Sequence, residues 1–223
     1  MRLSLDGPAG ALEALLDEPV YPPGSESADR APRAAVVFAH PHPQQGGTMH
    51  TKAVFQGAKG LTRIGCAVLR FNFRGVGRSQ GTFSRGEGEL SDAASALDWL
   101  QTYNPNSRGC WIAGFSFGAW ISMQLLMRRP EITGFISVAP PASLHDFSFL
   151  APCPASGLIV HGDKDDLVPQ SAVDKLAQKL QKQKNIKVEY RVIQGSDHFF
   201  QDHIDDLNKY VNNYLDKVTA QAA

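Results

Sequence analysis

From Ala34 onward the chain alternates between short apolar runs and longer stretches with helical spacing. Residues 35–40 (AVVFAH) are β-branched and apolar and lead into a proline-rich loop; 66–71 (CAVLRF), 111–115 (WIAGF), 132–139 (ITGFISVA), 157–162 (GLIVHG) and 188–193 (VEYRVI) repeat the pattern. Between them, 52–63, 88–100, 118–127, 171–183 and 202–218 carry apolar residues at helical intervals. In 88–100, for example, Leu90, Ala93, Ala94, Leu97 and Leu100 share one face. Pro130 stops the helix over 118–127. Apolar strands buried on both faces and alternating with helices predict an α/β fold, a mostly parallel sheet of about eight strands covered on both sides. Two earlier segments, 2–5 and 12–16, predict an edge hairpin, and 21–32 (YPPGSESADRAP) separates early strands rather than domains. The whole chain, 1–223, therefore reads as one domain.

Composition narrows the partners. Twenty-two Lys and Arg balance 22 Asp and Glu, with a sequence pI near 7.1 and no basic run, so neither nucleic acid nor an anionic membrane is expected. Three cysteines, Cys66, Cys110 and Cys153, form an odd set without CxxC spacing. They predict no metal, no disulfide framework and a reducing compartment. The opening residues hold no apolar run of signal-peptide length, which predicts a cytoplasmic protein. The uncharged stretch 110–127 has the length of a membrane span, but Gly114, Ser116, Gly118 and Ser122 within it predict a buried strand running into a buried helix.

The sharpest chemical signal is Gly114-Phe115-Ser116-Phe117-Gly118, a GxSxG pentapeptide at a strand-to-helix junction. In that context the glycines permit a tight turn, the serine hydroxyl emerges at the sheet's C-terminal edge, and the helix N-terminus favours developing negative charge. A serine hydroxyl needs a base. His198, in Gly195-Ser196-Asp197-His198-Phe199-Phe200, is the one histidine of seven in the loop after the last strand; His203 reads as a solvated helix residue. The carboxylate that orients the base should lie in His161-Gly162-Asp163-Lys164-Asp165-Asp166-Leu167-Val168-Pro169, between nucleophile and base in chain order. Asp165 is preferred there, Asp163 is the rival as a turn residue, and Asp166 is expected to be solvated.

An oxyanion hole should use the Phe117 backbone amide and a second amide from the loop after 35–40. That loop reads His40-Pro41-His42-Pro43-Gln44-Gln45-Gly46-Gly47, and proline has no N–H, so His42 is the expected donor with Gln44 in reserve. The same His-x-His could instead hold a metal, although such a site would leave the GxSxG turn unexplained. Residues 72–81 (NFRGVGRSQG) superficially resemble a phosphate loop, but the third glycine falls one place late; a structural turn tied down by Arg74 is expected.

Taken together, the HPHP…GGTM block, FNFRGVGRSQG, GFSFGA, HGDKDDLVP and GSDHFF resemble the small bacterial α/β-hydrolases, in a branch similar to dienelactone hydrolase but with Ser116 in place of cysteine. The likeness runs from Ala34 to the C-terminus, and it implies the set Ser116, Asp165 and His198 and an esterase-like activity without a cofactor. One departure is Thr51 before Lys52, where the family often has asparagine. Many members of the superfamily insert a cap after the strand matching 132–139. Here only the segment 140–154 intervenes, too short for a helical lid, so an open site is expected, with Leu144, Phe147, Phe149, Leu150 and Phe115 as acyl-pocket walls or local core. The leading expectation is a hydrolase of small acyl carboxylic esters. Thioesterase, lactonase and peptidase chemistry would use the same three residues, and a non-catalytic binding protein on this fold is the reading of another class.

Overall fold

The computed structural model describes residues 1–21 and 31–220; most of the expected linker, 22–30, lies outside the described residues. Eight strands form one sheet: β1 (Arg2–Gly7), β2 (Gly10–Asp17), β3 (Ala35–Ala39), β4 (Ala67–Phe71), β5 (Cys110–Phe115), β6 (Ile132–Val138), β7 (Gly157–Gly162) and β8 (Val188–Ile193). Their spatial order is β1-β2-β4-β3-β5-β6-β7-β8. β1 and β2 are the expected hairpin and join β4 antiparallel, while β4 through β8 run parallel. Five helices cover the sheet: α1 (Lys52–Arg63), α2 (Glu87–Tyr103), α3 (Phe117–Leu126), α4 (Gln170–Gln181) and α5 (Ile204–Ala220). This is the α/β-hydrolase fold that the motifs implied.

The strand pleat decides how the two faces are shared. In β3, Ala35, Val37 and Ala39 join one core with Leu97 of α2, Ile121 of α3 and Leu176 of α4. Val36 and Phe38 join the other, with Val54 and Leu61 of α1 and Leu207, Val211 and Leu215 of α5. Each fully buried Val, Leu or Ile stabilises the fold by about 1.5–3 kcal/mol, so a strand lined on both faces is held from both sides. The uncharged stretch 110–127 is divided between β5 and the almost wholly buried α3. No helix among the described residues is long and apolar enough to cross a membrane.

Two connections shape the C-terminal edge of the sheet. Between β6 and β7 the chain makes turns and bends without a helix, so no cap covers that edge. Trp120 of α3 pins this connection: its Nε1–H donates to the Asp146 carbonyl at 3.0 Å, and its ring stacks on His145 with centroids 4.2 Å apart. The loop after β3 is fixed by buried polar groups of β4 and its extension. Asn72 accepts from the Met49 amide at 2.8 Å, and Arg70 donates to the Met49 carbonyl at 2.7 Å. His40 closes the anchor. The Pro41 carbonyl can only accept and the Phe73 amide can only donate, so His40 Nδ1–H donates to Pro41 (2.6 Å) while Nε2 accepts from Phe73 (3.0 Å).

Both nitrogens of His40 are thereby consumed, which overturns the metal reading of His40 and His42. No group of three potential ligands that could hold a metal ion occurs among the described residues. The loop 72–81 is the structural turn expected. The Arg74 guanidinium makes two hydrogen bonds to the buried Asp92 carboxylate of α2, at 2.6 and 2.9 Å, and its backbone amide adds a third at 3.0 Å.

Burial pushes the His40 pKa down to about 4 from an ordinary value of 6.5. Between those two values the unfolded chain binds a proton that the folded chain refuses, so stability is complete above the window and falls as pH drops through it. We expect the free energy of urea unfolding to fall by about 3 kcal/mol more in the wild type than in His40→Gln between pH 7 and pH 4. Parallel pH dependences in the two proteins would contradict this account.

Candidate active site

Ser116 sits between β5 and α3 with φ 53° and ψ −121°, a backbone conformation that costs a non-glycine residue about 1–3 kcal/mol. The surroundings hold it there. Its amide donates to the Val138 carbonyl at 2.9 Å, and its carbonyl accepts from Ala119 at 2.8 Å. Both flanking glycines are required by contact: a Cβ on Gly114 would lie 2.3 Å from the Gly118 carbonyl oxygen, and one on Gly118 only 2.4 Å from that of Ala39. The turn leaves the Ser116 side chain half-buried at the C-terminal edge of the sheet.

The loops after β7 and β8 are zipped together, and the zipper brings Asp165 and His198 into contact. Asp163 N donates to Ile193 O (3.2 Å), Lys164 N to Ser196 O (2.9 Å), and Gly195 N to the Asp163 carboxylate (2.5 Å). A Cβ on Gly162 would meet the Ser196 carbonyl oxygen at 2.3 Å, so only glycine permits this approach. Across the joined loops, His198 Nδ1 lies 2.6 Å from Asp165 Oδ2 and His198 Nε2 lies 3.0 Å from Ser116 Oγ. The other Asp165 oxygen accepts from the amides of Leu167 (2.9 Å) and Val168 (2.8 Å). Burial opposes charge on Asp165, but the His198 hydrogen bond and charge and the Val168 amide outweigh it, holding the carboxyl below its ordinary value. Asp163 is consumed as the turn residue by Gly195, Asp166 is exposed, and His203 pairs with Asp206 at 3.1 Å.

The two expected oxyanion amides are free of internal partners among the described residues. Phe117 is the first residue of α3, where no intrahelical acceptor exists. In the loop after β3, the Gln44 amide donates to His42 Nδ1 at 3.2 Å, which removes the reserve donor. The amides of Gln45 and Gly47 bond the His42 carbonyl at 3.0 and 3.1 Å, and the amide of His42 itself stays open. The His42 ring is wedged between Phe83 and Phe117, with centroids 5.0 and 5.1 Å away.

Ser116 and His198 open into a cavity of about 250 Å³ whose walls include His42, Gln45, Thr51, Leu144, Leu167 and Phe199; among the described residues, no Lys, Arg, Asp or Glu lines it. Of the expected acyl-pocket walls, only Leu144 is there. Phe147 and Leu150 line a separate hollow of about 700 Å³ against the end of α4, without nucleophile or base. Phe149 packs against the core on that side, and Phe115 is buried behind the His198 ring at 5.3 Å. The connection turns inward after His145, and that carries those side chains away from Ser116. The residues sequence reasoning missed are Leu167 and Phe199, 51% and 44% exposed beside Asp165 and His198, and Gln45 and Thr51. The available signal was a large apolar residue next to each polar loop residue where turn chemistry has no use for one. As a whole the arrangement can relay a proton from a hydroxyl through an imidazole, with two amides ready for an oxygen anion.

Residues 30–156 match the serine aminopeptidase S33 family, and 142–221 match the prolyl oligopeptidase family. The uncharacterized protein RP471 of Rickettsia prowazekii is 46% identical over 218 residues, 96% of this chain and 88% of its own. Protein ATU1826 of Agrobacterium tumefaciens, whose function is unknown, is 48% identical and superposes with a TM-score of 0.91 over 99% of this chain and 97% of its own. XC6422 of Xanthomonas campestris, an α/β serine hydrolase without a lid, is 32% identical, with a TM-score of 0.85 over 97% and 94%. With a family match over more than half its length and relatives of this identity spanning nearly all of it, the chain belongs to the α/β-hydrolase superfamily, among its small bacterial members with a serine-hydrolase-type fold.

Proposed function

We propose that this hydrolase is a serine carboxylesterase acting on small, uncharged acyl esters, with Ser116 as nucleophile, His198 as general base and Asp165 as the acid that orients it. His198 Nε2 takes the Ser116 proton as Oγ attacks the ester carbonyl, and the amides of Phe117 and His42 receive the resulting oxyanion. The intermediate collapses to an acyl-enzyme as His198 protonates the leaving alcohol, and water repeats the sequence to release the acid. Asp165 stabilises the imidazolium and holds the tautomer with its proton on Nδ1. The observation that carries the reading is the unbroken relay of 3.0 and 2.6 Å opening into a pocket without charged walls.

The two family descriptions are of peptidases, and the same relay would serve an amide. An aminopeptidase, however, needs a carboxylate near the scissile bond to hold the substrate's ammonium group, and among the described residues no Asp or Glu lines this pocket. That favours a neutral ester or thioester. We also place the protein in the cytoplasm, on the strength of three unpaired cysteines.

Ser116→Ala should lower kcat for a short-chain ester by roughly 10³-fold or more with an unchanged melting temperature, since the hydroxyl faces a cleft and not the core. Turnover near wild type in a folded variant would end the assignment. Asp165→Asn should cost roughly 10³- to 10⁴-fold in kcat by favouring the wrong His198 tautomer, whereas Asp163→Asn, which removes only a turn contact, should keep kcat within about tenfold. The reverse order would move the acid by two residues. Across an ester series, kcat/KM should peak from acetyl to butyryl and fall by acyl chains of roughly eight carbons. A methylene contributes about 0.8 kcal/mol only while there is wall to bury it, and a lidless 250 Å³ pocket supplies little. A steady rise to long chains would show an acyl channel elsewhere.

A further inference from the structure

His161, at the C-terminal end of β7, lies behind the acid of the relay and is fully buried. Its ring faces two groups that can only accept. Nε2 is 3.0 Å from the Val168 carbonyl oxygen, a hydrogen bond, while Nδ1 is 3.7 Å from Asp165 Oδ2 and has no hydrogen-bond partner. A neutral imidazole has one proton, and the short contact assigns it to Nε2. Nδ1 then turns a bare lone pair toward the carboxylate oxygen that His198 uses at 2.6 Å. Val168 is also the residue whose amide, with that of Leu167, grips the other Asp165 oxygen. His161 thus holds the carbonyl side of the very peptide turn whose amide side holds the acid.

We propose that His161 is a positioning residue for Asp165: it props the 165–168 turn from beneath through the Val168 carbonyl and, while neutral, leaves Oδ2 undivided for His198. The inference rests on the relay proposed above. A proton on Nδ1 would create a second donor competing for Oδ2 and would draw the acid away from the base. The charged and titratable groups facing the ring are Asp165, His198 and, on α4, Asp174, which accepts from Tyr190 of β8 at 2.7 Å. Burial holds His161 below its usual range against the pull of Asp165, so the neutral form is the working one near pH 7.

Two substitutions separate this role from simple packing. His161→Leu keeps bulk and removes the donor, whereas His161→Gln can still donate to the Val168 carbonyl but cannot take up a proton. With an ester substrate, His161→Leu should lower kcat roughly 10- to 100-fold, the range seen when a partner that orients a reacting group is lost, with KM within about threefold. His161→Gln should recover most of that kcat at pH 7, and its kcat/KM should fall less steeply with acid than the wild type's, having one proton fewer to bind. If His161→Leu is too unstable to assay, the downfield proton resonance of the His198–Asp165 hydrogen bond provides a second measurement: it should keep its wild-type position in His161→Gln at pH 7. A folded His161→Leu with wild-type kcat overturns the proposal, as does a His161→Gln that matches the wild type's acid limb in slope or loses the downfield resonance. Labelling of the wild type by a fluorophosphonate separates the two readings. Failure to label would refute the relay itself, while equally fast labelling of wild type and His161→Leu would refute only the role of His161.

Discussion

The close approach of α3 to the end of β3 is the constraint on which the rest of the site depends. Gly118 lies so near the Ala39 and His40 carbonyls that no side chain fits between them, and this forces the chain from β5 into α3 through a single strained residue, Ser116. That one contact sets three things together. It raises the hydroxyl above the sheet edge, leaves the first amide of α3 without a partner, and places that amide next to the loop that begins at His40. The helix is almost entirely apolar, with residues buried into the core, and this packing stabilises a turn that local backbone preference disfavours.

The other half of the site is built by a different means. No single contact fixes Asp165 against His198; a set of backbone hydrogen bonds between the loops after β7 and β8 does so, and Gly162 permits it. Within this zipper the carboxylates divide their labour. Asp163 holds the turn and Asp165 faces His198. Buried polar groups outside the relay are nearly all spent on backbone. His40, Asn72 and Arg70 fix the loop after β3, and Glu89 and Asp92 fix the loop before α2. The buried Arg70–Asp17 and Arg74–Asp92 pairs therefore support the frame, while the described pocket walls stay uncharged.

Without a cap inserted between β6 and β7, the rim of the Ser116 pocket is made by loop side chains. Leu144, Leu167 and Phe199 come from three different loops, and each stays at least 44% exposed. Leu167 is placed by the Asp165 turn and Phe199 by the His198 loop, while Leu144 follows the Trp120–His145 stack on the β6–β7 connection.

Much of this was already determined by the sequence. The alternation of doubly buried strands with helices sets the sheet, because runs such as AVVFA and GLIVHG, buried at every position, can be satisfied only by neighbours on both sides. GFSFG at a strand-to-helix junction, an acid loop before a proline and a histidine after the last strand are local patterns, and local patterns survive reading in one dimension. The proline alternation in HPHPQQGG likewise limits which amides can donate. Tertiary structure alone decided what depends on distance between loops. The segment 140–154 gave no sign that its aromatic residues turn away from Ser116 and leave only Leu144 at the pocket. The sequence left a metal as the alternative use of His40, and it could not show that the Phe73 amide, 33 residues away, occupies the second nitrogen of that ring. His161 read only as the end of the strand GLIVHG, and only the fold sets it behind Asp165. Periodicity and turn chemistry are properties of neighbours along the chain. The partners of a buried polar atom come from wherever the sheet brings them.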